Sequence, residues 1–198
     1  MVDKPYLDKH HQRCPWCGFD PLYIKYHDEV WGVPEYDSKA LFGKLILDGA
    51  QAGLSWITIL RRQEGYFDVF DGLDPAIVAH YTDQDRDRLM QDARIIRNRL
   101  KIDAAITNAR AYIALEEKGV SFSDYLWGFM EGKTLHNEFK SMAQLPAQTP
   151  LSQKISKELK NKGFKFVGPT IIYAFMQAVG MVNDHLLSCY RHQEIRAR

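Results

Sequence analysis

Three cysteines in 198 residues are too few, and odd in number, for a disulfide framework. Such sparse thiols point to a reducing compartment, where they serve as metal ligands or plain core residues. Long hydrophobic runs are also missing. The longest, from Pro169 to Val182, is shorter than a membrane span and contains Gln177, so it reads as a buried helix. The opening Met-Val-Asp-Lys-Pro lacks the apolar core of a signal peptide, and a cytoplasmic protein without a membrane partner is expected. Nor is there an excess of one charge: 26 basic and 25 acidic residues leave a formal net charge of +1. Any nucleic-acid contact must therefore come from local basic clusters rather than from the overall field. No alternating strand, internal repeat, low-complexity tract or flexible linker is apparent. What remains is an ordinary globular composition, 45% hydrophobic, expected to form one all-α unit over residues 1–198.

Helix starts are the clearest local signals. Asp20-Pro21 and Asp74-Pro75 each pair an N-cap aspartate with proline at the first helical position. The first helix is expected to carry Leu22, Tyr23, Tyr26 and His27 and to end near Trp31-Gly32. Asp37 or Ser38 caps the next. A third runs from about Ser55 through Trp56, Ile59 and Leu60 and closes around Gly65. Thr82 with Asp85 resembles a capping box. Ile102, Ala105, Ile106, Ala109, Tyr112 and Ile113 recur at helical spacing, with a stop at Gly119. Residues 151–161 and the segment from Gly168-Pro169 to Gly180 are further helices, whereas 131–150 read as loop with broken helix. Residues 1–13 are expected to form a loosely held polar tail, in which His10-His11 is a weak metal pair and a solvated terminus is the simpler reading.

Chemistry concentrates in Leu47-Asp48-Gly49-Ala50-Gln51-Ala52-Gly53-Leu54-Ser55-Trp56. A carboxylate is expected to emerge where a buried helix ends, and two glycines permit a tight turn before a tryptophan. An acid beside an indole face suits a planar, electron-poor ring, with the acid taking its hydrogen bonds. Trp16, Tyr23, Tyr26, Trp31 and Trp56 crowd the N-terminal third, more aromatic surface than a small core needs.

A second group is soft in ligand character. His185 and Cys189 are four apart, on one face if the segment is helical. Cys14, Cys17 and His27 lie near the other end of the chain. Three sulfurs and two imidazoles suit Zn²⁺; four protein ligands would make it structural, and the alternative is a set of unconnected core residues. A third group is basic. Arg94, Arg97, Arg99 and Lys101 surround a break between two helices, where main-chain N–H groups can meet a phosphate. Lys154, Lys157, Lys160, Lys162 and Lys165 form another cluster, for which a solvated face is the simpler reading, with Lys165 as its candidate DNA contact.

Taken together, these residues resemble the type I 3-methyladenine DNA glycosylase family. The matching segments are Asp20-Pro21-Leu22-Tyr23 with Tyr26-His27, Trp31-Gly32-Val33-Pro34 and Gln51-Ala52-Gly53-Leu54-Ser55-Trp56. They continue with Ile95-Ile96-Arg97, Asn108-Ala109-Arg110-Ala111-Tyr112, Gly163-Phe164-Lys165-Phe166-Val167-Gly168 and Val182-Asn183-Asp184-His185. The likeness runs from about Arg13 to Cys189.

The resemblance implies an all-α, helix-hairpin-helix fold of two lobes, 1–54 with 126–198 and 55–125. It also implies one structural zinc joining the chain ends through Cys14, His27, His185 and Cys189, with Cys17 as a possible substitute for Cys14. The implied base pocket is Asp48, Tyr26 and Trp56, with Trp16 and Trp31 close by. Gly53 and Leu54 would enter the gap left by an extruded nucleotide. The implied partner is duplex DNA containing alkylated purines, bound by a monomer. Two departures stand out. Asp48 replaces a familiar glutamate, so its contact with the base is direct or through a water. Arg94 replaces a familiar glycine, and is either strained at positive φ or an added phosphate contact. No lysine is assigned as a nucleophile, so the expected product is free base and an uncut abasic site. The competing expectation is a non-enzymatic, zinc-stabilised helical module that binds DNA.

Overall fold

A computed structural model describes residues 11–197, and its regular structure is mostly helical. The first helix, α1 (Pro21–Glu29), begins as its sequence dictates: the Asp20 carboxylate accepts from the Leu22 and Tyr23 N–H groups. Asp37 does the same for α2 (Ser38–Gln51) by accepting from Ala40. Then come α3 (Trp56–Leu60), α4 (Gln63–Val69), α5 (Pro75–Val78) and α6 (Asp83–Gln91). Asp74 caps α5, and the Asp85 carboxylate takes the Thr82 N–H at 2.9 Å at the start of α6. Further along are α7 (Arg99–Glu116), α8 (Phe122–Trp127), α9 (Pro150–Asn161), α10 (Pro169–Ala178) and α11 (Tyr190–Arg196).

The hub is α2. Leu41, Phe42, Leu45, Ile46 and Leu47 are buried, and the helix packs against α3, α7, α8 and α10. One continuous apolar cluster runs from Tyr26 through α2 and α7 to Val182. Among the described residues, no helix is long and apolar enough to cross a membrane.

Five local expectations need correction. Asp48 does not stand at a helix end, because α2 continues through Gly49 to Gln51; a Cβ at Gly49 would lie 3.2 Å from Phe166 Cβ, so glycine is there for close packing. The turn belongs to Gly53, at φ +78°. Gly65 does not stop a helix but lies inside α4. A Cβ there would meet Arg94 Cβ at 2.7 Å and its carbonyl oxygen at 2.9 Å, so α4 touches the α6–α7 connection only because residue 65 is glycine. Residues 185–189 are a turn rather than a helix, with Cys189 the N-cap of α11. Two strands exist, β1 (Leu135–His136) and β2 (Val182–Asn183), paired in parallel; two residues each are too short to show alternation. Finally, the polar tail is held where it is described: Gln12 accepts from the Tyr190 N–H, and Arg13 pairs with Asp28. His11 packs against Tyr190 with ring centroids 4.5 Å apart, whereas His10 lies outside the described residues.

Candidate active site and metal centre

Two sites share one wall. The first gathers Cys14, His27, His185 and Cys189, all buried, with their ligand atoms within 4.8 Å of one another. Cys189 Sγ lies 3.5 Å from His27 Nε2 and 3.5 Å from His185 Nδ1, and Cys14 Sγ lies 3.7 Å from His185 Nδ1. A tetrahedron built on zinc–sulfur and zinc–nitrogen bonds has S···N edges of about 3.5 Å. These three edges therefore fit zinc in size, and the donor set fits it in kind.

Both rings are oriented from behind. His27 Nδ1 meets the Asp28 carboxylate at 2.8 Å, and His185 Nε2 meets the Trp31 carbonyl oxygen at 3.0 Å. Each ring donates through one nitrogen, which leaves the other as a lone-pair donor facing the sulfurs. Arg13 grips Asp28 in turn; burial pushes that carboxyl up, but bonds from Arg13 and His27 outweigh it and hold the group low. Cys189 is pushed down by the hydrogen bond it receives from Cys14, and Cys14 is pushed up by giving it. Cys17 is outside the group: its thiol donates to the Cys14 carbonyl oxygen at 3.2 Å, and burial raises it to about 11.

The second site is a cavity of about 210 Å³. Trp16 enters from the turn Pro15–Cys17, Tyr23 and Tyr26 from α1, Trp31 from the segment after α1, and Trp56 from the first residue of α3. Asp48 and Gln51 come from α2, and Gln177 from α10. Trp16 is the pivot, with ring centroids 5.1 Å from Tyr23 and 5.0 Å from Trp31; Tyr26 and Trp56 lie 5.3 Å apart. The five expected aromatics and Asp48 thus line one space.

Asp48 is 3% exposed. Its Oδ2 has no hydrogen-bond partner, and neither do the indole N–H groups of Trp16 and Trp56, which line the same cavity. Unpartnered buried polar atoms cost stability unless a ligand or water meets them. Burial pushes the Asp48 carboxyl up, against the lowering effect of Lys44. Lys44 was not foreseen. Its Nζ bonds Asp48 Oδ1 and lies 4.0 Å from the Trp56 ring centroid, and burial lowers its pKa. The signal was present: Lys44 and Asp48 are an i, i+4 pair on one helix face.

The basic residues divide. Arg94 is not at positive φ, so no strain attends the arginine; its guanidinium binds Asp92 at 2.7 Å and reaches Asp68 at 3.5 Å. Arg97 is exposed, and Arg99 is exposed 4.0 Å from Asp87. Lys101, expected at a phosphate, instead donates to the Ala50 and Ala52 carbonyl oxygens at 2.7 and 2.8 Å and finishes the C-terminus of α2. Lys165 is exposed on a backbone bracketed by the Asn108 amide. Leu54, after the Gly53 turn, is 40% exposed.

The Methyladenine glycosylase family model matches residues 16–192, which includes the whole cavity lining. This chain belongs to that family. Its relatives are alike along nearly their whole length. DNA-3-methyladenine glycosylase 1 of Escherichia coli (strain K12) is 51% identical over 178 residues, 90% of this chain and 95% of that one. A crystal structure of a 3-methyladenine DNA glycosylase I superposes with a TM-score of 0.89 at 50% identity, covering 90% of this chain and 98% of the other. A variant of a 3-methyladenine DNA glycosylase I solved in complex with 3-methyladenine gives a TM-score of 0.87 at 39% identity, covering 90% and 96%.

Proposed function

We propose that this chain is a monofunctional DNA glycosylase of base-excision repair, which draws 3-methyladenine from duplex DNA into the Asp48 cavity and hydrolyses its N-glycosyl bond. The observation that carries the reading is a buried carboxylate with one unpartnered oxygen in a cavity walled by indole and phenol rings. Adenine alkylated at N3 is cationic in DNA, and its glycosidic bond is already weak. The main tasks are to extrude and hold it. Trp56 and Tyr26 are placed to stack on the ring, and cation–π attraction favours the charged lesion over normal adenine. Asp48 accepts hydrogen bonds from the polar edge of the base, directly or through a water. Its charge also favours the positive charge that develops on the sugar. As the C1′–N9 bond breaks, its electron pair leaves with the purine, which departs as the neutral base. Water adds to C1′ and loses a proton, leaving an abasic site in an intact strand. The named activity of the Escherichia coli relative and the 3-methyladenine bound in the solved relative support this reading.

In the same reading, α6 and α7 form the helix-hairpin-helix element, with Arg97 and the N-terminus of α7 on the DNA backbone and Gly53-Leu54 entering the emptied gap. Cys14, His27, His185 and Cys189 hold one zinc, which supplies a fixed cross-link between the two ends of the chain. Incubation with methylated duplex DNA, followed by chromatography of the released bases, is expected to yield 3-methyladenine. DNA binding with no released base would favour the non-enzymatic module instead.

A further inference from the structure

Lys44 stands between two cavities. On one side is the base pocket, where its ammonium pairs with Asp48 Oδ1 and lies 4.0 Å from the Trp56 ring centroid. On the other is a space of about 340 Å³ lined by Glu29, Glu35 and Phe67. The Lys44 side chain is 13% exposed, so it is a partition rather than a surface group. Both contacts it makes in the pocket, a carboxylate and an indole face, are those a cationic purine would make. Two like charges sharing one carboxylate and one ring face repel strongly where water is scarce.

We propose that Lys44 is a specificity-determining residue: an internal cation that occupies the charged subsite and that an incoming base must move. The inference rests on the reading of this cavity as the base pocket. The adjoining space gives the ammonium somewhere to go. Its flexible stem swings from Asp48 toward Glu29 and Glu35, so the ammonium keeps carboxylate neighbours while the base takes Asp48 and Trp56. While Lys44 stays, the Lys44–Asp48 pair carries no net charge, and the preference for a cationic purine over a neutral one is held down.

Two probes read this directly on the full chain: 3,9-dimethyladeninium, a fixed cation, and 9-methyladenine, its neutral counterpart, titrated by quenching of tryptophan emission. Lys44→Met is expected to tighten the cation at least tenfold and to change the neutral probe less than threefold. Lys44→Gln keeps a hydrogen-bond donor beside Asp48, protects against a misfolded first variant, and should move the ratio the same way. The pair Glu29→Gln with Glu35→Gln should weaken the cation in the parent protein and have no effect beside Lys44→Met. Equal changes for both probes, or looser cation binding in both lysine variants, would overturn the proposal. So would a glutamate effect that persists without Lys44. Base release is followed separately. A parent protein that frees no 3-methyladenine loses the glycosylase reading, yet the cation-to-neutral ratio still tests Lys44.

Discussion

The carbonyl oxygen of Trp31 accepts a hydrogen bond from His185 Nε2 at 3.0 Å. This bond turns His185 Nδ1 toward Cys14 and Cys189, and it belongs to a residue whose indole packs on Trp16 in the cavity wall. The sulfur–imidazole cluster and the aromatic cavity are therefore adjacent parts of one structure, and disturbance of the first is expected to reach the second.

Cys189→Ala should accordingly lose zinc on metal analysis, melt at lower temperature and release 3-methyladenine more slowly. Asp28→Ala keeps all four ligands but frees the His27 ring. Chelator competition should show zinc held about 10- to 100-fold more weakly. Full zinc occupancy in Cys189→Ala would mean that the ligand set is wrong.

Asp48→Asn should reduce the single-turnover excision rate by about 10²- to 10³-fold, the range for loss of one charge-stabilising group in an enclosed site. Far-UV circular dichroism should stay native, because α2 is held by its apolar face and not by this carboxylate. An undiminished rate would remove Asp48 from the mechanism.

Gly65→Ala introduces a methyl group 2.7 Å from Arg94 Cβ and 2.9 Å from the Arg94 carbonyl oxygen. Backbone must shift to admit it, at a cost of about 1–3 kcal/mol in denaturant unfolding. The α6–α7 connection moves with it, so DNA affinity should fall as well.

Lys101 and Arg97 lie near each other in sequence and should behave differently. Lys101→Met removes two bonds to the end of α2 and should lower stability, leaving the salt dependence of DNA binding unchanged. Arg97→Ala should leave stability unchanged and reduce the slope of log K against log salt by about one. Unfolding curves and a salt titration separate them.

The Asp92 carboxyl is held at about 2, below its ordinary 3.8, chiefly by the Arg94 side chain. A depressed carboxyl adds stability that is present above pH 3.8 and lost as the pH falls through about 2. Arg94→Gly should return the Asp92 titration toward 3.8 in a carbon-13 NMR experiment. A midpoint unmoved by that substitution would show that the pair does not form in solution.

Helix starts at Asp20-Pro21, Asp37 and Asp74-Pro75 were legible because capping is a contact between neighbours in the chain. The α7 stripe was legible for the same reason, since period and burial are local. Gly65 was misread because its reason lies in Arg94, on another element. Lys101 reads as a phosphate contact because no sequence pattern shows that two carbonyl oxygens of α2 lie within its reach.

By itself the sequence determined the helical class, a supply of thiols and imidazoles at the two ends of the chain and the presence of an acid among aromatic rings, all of which depend on residue type and short spacing. Only the tertiary structure decided that Cys14 and not Cys17 faces the two imidazoles, that His185 and Cys189 join that cluster from a turn where a helix was expected, and that Lys44 pairs with Asp48 inside the cavity. The physical reason is that these choices depend on how α1, α2 and the chain ends pack, and a contact across well over a hundred residues leaves no periodic trace in the chain.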